Sequence, residues 1–161
     1  MGRGVCKRGT LRIKSSTRMT ASDHFVVVAG YGLPGRSIVE SLCRRQIDYR
    51  VIELNPTACD RASAGGVKIV AGDASDPQVL RQAEVDRATL VVLMVPSDEV
   101  VLRAVGEIRT MNPTAHIIAR CAFTSTGLEA QRRGANQTIV AEQLVARELI
   151  QMDENFFAGL T

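Results

Sequence analysis

No apolar run in this 161-residue chain approaches the roughly 20 residues needed to cross a bilayer. The longest, LVVLMV at 90–95, has the length of a buried strand, so direct membrane insertion is not expected. There is no C-x-x-C pair either. Cys6, Cys43, Cys59 and Cys121 are scattered, which excludes a zinc knuckle or dithiol redox motif and reads as reduced, cytosolic thiols. Histidine is scarce: His24 and His116 each stand at the start of an expected strand with no carboxylate or thiol cluster nearby, as strand-entry residues rather than metal ligands. The first 22 residues hold no acid. They carry six basic residues but lack the apolar core of a secretory signal, and are read as a disordered basic leader, with Met19 as an alternative start.

That leader accounts for the net charge of +3. With it set aside, 14 of the 20 basic residues face all 17 acids, so the folded part is mildly acidic and no nucleic-acid partner is expected. What is present is a globular composition, 45% hydrophobic and 23% charged, sufficient for one domain with a real core.

From residue 24 onward short apolar runs alternate with segments of helical spacing, the pattern of βα units on a parallel sheet. Strands are expected at 24–29, 49–54, 67–71, 89–95, 115–121 and 137–140. The first and fourth, continuously apolar, belong at the centre, covered on both faces. Asn55-Pro56 and Asp76-Pro77 read as N-caps followed by proline in the first helical turn, and Ser97 or Asp98 opens a helix over 98–111. Gly65-Gly66 closes the helix before the third strand. Right-handed crossovers then give one α/β domain over 23–152, a Rossmann-like doubly wound parallel sheet of about six strands in the order 3-2-1-4-5-6. Residues 153–161 read as a C-terminal tail.

In such sheets ligands bind beyond the carboxyl ends of the strands, where the strand order reverses. The stretch HFVVVAGYGLPGRSIVESL places Gly30, Gly32 and Gly35 there in G-x-G-x-x-G spacing, between a buried strand and a helix. Gly30 permits the tight turn, Gly32 lets amides approach a pyrophosphate, Gly35 allows close helix–strand packing, and the helix N-terminus favours phosphate. Glu53 ends the second strand 18 residues after Gly35, where a carboxylate accepts hydrogen bonds from ribose hydroxyls and repels a 2′-phosphate. NAD-type or simple adenine nucleotides are therefore favoured over NADP. Asp73 in GDASDP reads equally as a turn former or as a carboxylate at the adenine end of the site.

The succession VVVAGYGLPG, VIELN, GDASDPQVL, LVVLMVPSDE, HIIARC and RRGANQTIV resembles the RCK N-terminal or TrkA-N (KTN) domain over roughly residues 24–152. Such domains are the nucleotide-binding regulators of potassium channels, Trk/Ktr uptake systems and Kef-type antiporters. The resemblance implies phosphates at Gly30, Gly32 and Gly35, ribose at Glu53 and adenine at Asp73 and Ala74, with Tyr31, Leu33, Pro34 and Leu54 as further cofactor-binding residues. Pro96 and Ser97 would flank the ribose–phosphate region. Arg120 matches an arginine at the end of strand five, read as either a ligand contact or a structural ion pair. It also implies a homodimer or larger assembly, a membrane potassium channel, transporter or antiporter subunit as partner, and a cytoplasmic location.

Leu33-Pro34 departs from the family, many of whose members carry arginine between the second and third glycines. The missing guanidinium disfavours ATP against NAD(H) or AMP/ADP, with Arg36 as a partial substitute. A NAD-dependent oxidoreductase is the alternative, but His116 and Lys68 start their strands at the wrong edge and Tyr31 sits in the loop itself, so a non-enzymatic sensor is expected. The segment AEQLVARELIQM at 141–152 is apolar on more than one face, and in RCK-like proteins this region helps form a domain-exchanged dimer.

Overall fold

A computed structural model describes residues 24–158; the leader read at 1–22, with Cys6 and Met19, lies outside the described residues. The elements alternate as expected. They are β1 (Phe25–Ala29), α1 (Leu33–Arg44), β2 (Asp48–Glu53), α2 (Pro56–Ala64), β3 (Ile69–Ala71), α3 (Pro77–Gln82), β4 (Leu90–Leu93), α4 (Asp98–Met111), β5 (His116–Cys121), α5 (Thr124–Arg132), β6 (Gln137–Val140) and α6 (Ala141–Ala158), with a 3-10 turn at Val85–Arg87. All six strands run parallel in the order β3-β2-β1-β4-β5-β6, so the sheet is the doubly wound Rossmann type.

Alternation along the strands divides the core into two layers. Val27, Ala29, Val91, Leu93, Ile117 and Ala119 point to one face and pack with Leu80 of α3, Val101, Val105 and Ile108 of α4, and Ala130 of α5. Val26, Val28, Val51 and Val92 point to the other and pack with Val39 and Leu42 of α1. Burial on both sides is why β1 reads as a solid apolar run: every one of its five residues is buried.

Local signals set the helix starts. The Asn55 side chain accepts from the Thr57 and Ala58 amides at 3.0 and 3.3 Å, Asp76 from Gln78 at 2.8 Å, and Ser97 from Val100 at 3.4 Å. α1 differs. Its N-cap is Gly32, with no side-chain cap, and it begins at Leu33, so that Gly35 lies inside its first turn. Pro34 lies in the first turn, where its missing N–H costs no helical bond.

Three differences from the expected elements bear on function. β4 ends at Leu93, two residues short of the expected strand, although the Met94 amide still donates to the Ala29 carbonyl of β1 at 2.7 Å. β3, on the edge of the sheet, is only three residues long. α6 runs on to Ala158, so residues 153–158 of the expected tail continue the helix, and none of its residues is buried.

Candidate functional site

The carboxyl ends of β1, β2, β3 and β4 open on a cavity of about 530 Å³. Its wall is assembled from the four loops that follow those strands: Gly30 after β1, Glu53 and Leu54 after β2, Asp73 and Ala74 after β3, and Pro96 and Ser97 after β4. The volume is in the range of sites for drug-sized ligands and cofactors.

Gly30 donates a hydrogen bond from its amide to the Ile52 carbonyl at 2.8 Å, with φ at +97°. A Cβ there would lie 2.9 Å from the Met94 carbonyl carbon, so the loop passes β4 at a distance only glycine permits. Gly35 is tighter still, since a Cβ on it would overlap the Gly30 carbonyl oxygen. The loop thus folds back on its own first glycine, bringing the N-terminus of α1 to the sheet edge. Pro34 carries no N–H, so the first-turn donors are the amides of Gly32, Leu33 and Gly35.

Glu53 is bonded to the loop itself. Its Oε2 accepts from the Tyr31 amide at 2.7 Å and its Oε1 from the Asn55 amide at 2.8 Å. Two backbone donors fix the carboxylate, and each oxygen keeps a further lone pair for hydroxyl donors in the cavity. Leu54, beside it, is 68% exposed on the rim.

Asp73 realises the turn-former reading while also lining the cavity. Its Oδ1 accepts from the Ser75 amide at 2.7 Å and hydroxyl at 2.8 Å. The Ser75 amide bond, foremost, and the hydroxyl bond hold the Asp73 carboxyl below its ordinary value of 3.8. The sign follows: a carboxylate with a depressed folded pKa adds stability that is fully present above about pH 4 and is lost as pH falls through the folded value. Asp73→Asn is therefore expected to flatten the acid limb of a stability-against-pH curve below pH 4 and leave its slope at pH 6–8 unchanged. Urea titrations across that range check this, and an unaltered acid limb would show that Asp73 is not linked to folding.

The remaining sequence candidates lie around the cavity rather than in it. Leu33 is 79% exposed at the start of α1, and Pro34 and Gly32 are exposed beside it. Tyr31 contributes its amide to Glu53, but the residue lines a separate cleft between α1 and α2. Arg36, considered as a phosphate substitute, donates from Nε to the Tyr31 carbonyl at 3.3 Å and lines that same cleft. Arg120 is half-buried, does not line the cavity, and forms no ion pair among the described residues. Ile52, Asn55, Pro56, Gly72, Val95 and Val100 complete the wall without having been read as site residues, Asn55 and Pro56 having been read only as a helix start. For Gly72 a signal existed in the sequence, a glycine directly after a strand; its φ of +152° and the Val79 side chain leave no room for a Cβ.

A parallel sheet reversing at β1/β4, a glycine turn entering an uncapped helix and a carboxylate closing β2 define a Rossmann-type domain of the nucleotide-binding class. The TrkA-N domain family matches residues 26–141, and the chain belongs to that family. It is 31% identical over 137 residues to the Escherichia coli (strain K12) protein YbaL, covering 85% of this chain and 24% of YbaL. The chain therefore spans about a quarter of that relative's length. The crystal structure of the TrkA-N domain of inner membrane protein ybaL superposes with a TM-score of 0.74 at 30% identity, covering 81% of this chain and 96% of that domain. Two further structures share the fold. They are the GsuK channel bound to NAD (TM-score 0.71, 22% identity, covering 78% of this chain and 23% of that one) and the Shewanella denitrificans Kef CTD in AMP-bound form (0.67, 22%, 78% and 76%).

Proposed function

We propose that this chain is a cytoplasmic regulatory domain that binds NAD(H), AMP or ADP in the 530 Å³ cavity and transmits its occupancy to a membrane potassium channel, transporter or antiporter. The observation that carries the reading is the Glu53 carboxylate, tied by the Tyr31 and Asn55 amides at the lip of a cavity whose other wall is the glycine turn. A ribose seated against Glu53 places its 5′-phosphate toward the first-turn amides of α1 and its base toward Asp73 and Ala74. NADP is disfavoured because its 2′-phosphate would meet the Glu53 charge.

Binding without turnover agrees with where the proton-transfer candidates lie. His116 opens β5 and Lys68 precedes β3, both at the amino edge of the sheet, while the cavity is at the carboxyl edge. The link to a partner is thermodynamic: ligand shifts the assembly only by its difference in affinity for two arrangements of it. Such an assembly has an obvious element in α6, where Leu144, Leu149, Ile150, Phe156 and Phe157 are all exposed. A second copy of this chain covering α6 gives the homodimer on which ligand would act.

Calorimetric titration with NAD, NADH, NADP, AMP, ADP and ATP tests the reading. Micromolar binding of NAD(H) or AMP/ADP with no change in the nucleotide is expected, and failure of all six to bind would sink it. ATP is expected to bind less well than AMP, since Leu33 stands where a guanidinium would meet the outer phosphates. Leu33→Arg should strengthen ATP about tenfold and AMP much less, the increment of one charge-assisted contact.

A further inference from the structure

The cleft between α1 and α2 is a second cavity, of about 320 Å³, on the outer side of the glycine turn. Its lining brings together Arg36 of α1, Arg61 of α2 and Tyr31 of the loop, over a floor of Ala58, Ala62 and Gly65, and includes no carboxylate. The cavity of the nucleotide reading has the reverse character: Glu53 and Asp73 line it, and no lysine or arginine does. Cationic side chains and the larger cavity have thus been placed apart.

The two arginines are in different states. Arg36 is anchored, with Nε on the Tyr31 carbonyl at 3.3 Å and its guanidinium 5.9 Å from the centre of the Tyr31 ring. Its two terminal nitrogens make no hydrogen bond or ion pair among the described residues. Arg61 has no side-chain hydrogen bond or ion pair among them at all, although it sits on a regular stretch of helix with its neighbour Ala62 buried. Some arginines elsewhere in the fold do find acceptors, Arg50 and Arg87 on Glu84, Arg133 on Glu129, and Arg109 on four backbone carbonyls and Asn136. Arg44, Arg45, Arg81, Arg103, Arg120 and Arg147, like Arg61, make no side-chain hydrogen bond or ion pair among the described residues. What sets Arg61 apart is that it shares a cleft with a second guanidinium.

We infer that this cleft is an anion site for a phosphate group, bound between Arg36 and Arg61 and separate from the nucleotide cavity. Guanidinium forks match tetrahedral oxyanions, and two arginines lining one recess without a competing carboxylate supply charge and hydrogen-bond donors for one. Tyr31 is shared between the two places. Its amide holds Glu53, its carbonyl holds Arg36, and an anion in the cleft therefore sits one residue away from the ribose carboxylate. The phosphate can be free or can be carried on a ribose reaching across the loop; the charge of Glu53 favours the free form.

Orthophosphate is the probe, compared with chloride at matched ionic strength, on the full chain. In wild type a rise of roughly 4–6 °C in Tm is expected at phosphate concentrations about ten times Kd. Arg61→Ala removes an exposed side chain with no partner on the protein, so it should fold as wild type and lose most of that rise; Arg61→Lys should keep part of it. The rise should persist with AMP at saturation, and because it is read with orthophosphate it is visible even if no nucleotide binds. Comparing NAD with NADP identifies the source: tighter NADP binding that disappears in Arg61→Ala marks a ribose-borne phosphate, and NADP binding no tighter than NAD, with a ratio unchanged by Arg61→Ala, marks a free one. An Arg61→Ala protein that responds to phosphate as wild type does, or a phosphate response abolished by AMP, would overturn the inference.

Discussion

Gly35→Ala is expected to destabilise the domain by about 3 kcal/mol or more, a fall of about 10 °C in Tm, and to abolish nucleotide binding. The reason is an overlap with backbone rather than with a side chain. A Cβ on Gly35 would clash with the Gly30 carbonyl oxygen and stand 3.0 Å from its carbon, and the nearest side-chain atom, Val28 Cγ1 at 3.7 Å, belongs to the buried centre of β1. Gly30 cannot retreat, because its amide is bonded to Ile52 and the Met94 carbonyl lies on its other side. Relief therefore has to come from moving the N-terminus of α1 off the sheet, which withdraws the first-turn amides from the cavity. Gly106→Ala is the matched control. That glycine lies inside α4 with open space where its Cβ would be, so alanine there should be neutral or stabilising by about 0.5–1 kcal/mol. Thermal melts of the two variants with and without AMP decide the matter, and a Gly35→Ala protein within about 1 kcal/mol of wild type would show the loop to be more yielding than its geometry implies.

The fold was legible because its signals are local and repeated. Asn55-Pro56, Asp76-Pro77 and Ser97 each act within one turn of chain, and buried runs such as VVVA report two-sided burial without reference to any neighbour. Strand order then followed from handedness. The lining of the cavity was legible in part for the same reason: Glu53 closes β2, Gly30, Leu54, Asp73, Ala74, Pro96 and Ser97 lie in the turns that follow the strands, and those turns meet in a doubly wound sheet. What spacing could not reveal is where a long side chain turns. Arg36 lies within reach of either side of the glycine loop, and only the position of the Tyr31 carbonyl directs it into the α1/α2 cleft. Nor could it show that Glu53 is bonded to Tyr31, a contact across 22 residues that depends on the loop's path. The end of α6 was obscured for a different reason: residues 153–158 read DENFFA, three polar residues and then two adjacent aromatics, which does not continue the helical spacing of the apolar residues before them.

Glu53 is where charge and geometry can be separated. Glu53→Ala is expected to weaken NAD, AMP and ADP alike by about 30- to 100-fold, the loss of charge-assisted bonds to two ribose hydroxyls, while the Tyr31 and Asn55 amides lose their acceptor and the loop loses its tie to β2. Glu53→Gln keeps the shape and one acceptor oxygen but removes the charge, and its amide nitrogen now faces a backbone N–H. Its loss should be smaller, about tenfold for NAD, and accompanied by a narrowing of the preference for NAD over NADP, because the repulsion of the 2′-phosphate disappears with the carboxylate. Calorimetry of both variants with NAD, NADP and AMP, alongside Tm values to confirm folding, reads the two effects independently. Unchanged affinities in Glu53→Ala would remove the ribose from this position. An unchanged NAD-to-NADP ratio in Glu53→Gln would mean that discrimination against the 2′-phosphate comes from the shape of the lip formed by Leu54 and Pro56, and that the charge on Glu53 serves only to hold the glycine loop against the sheet.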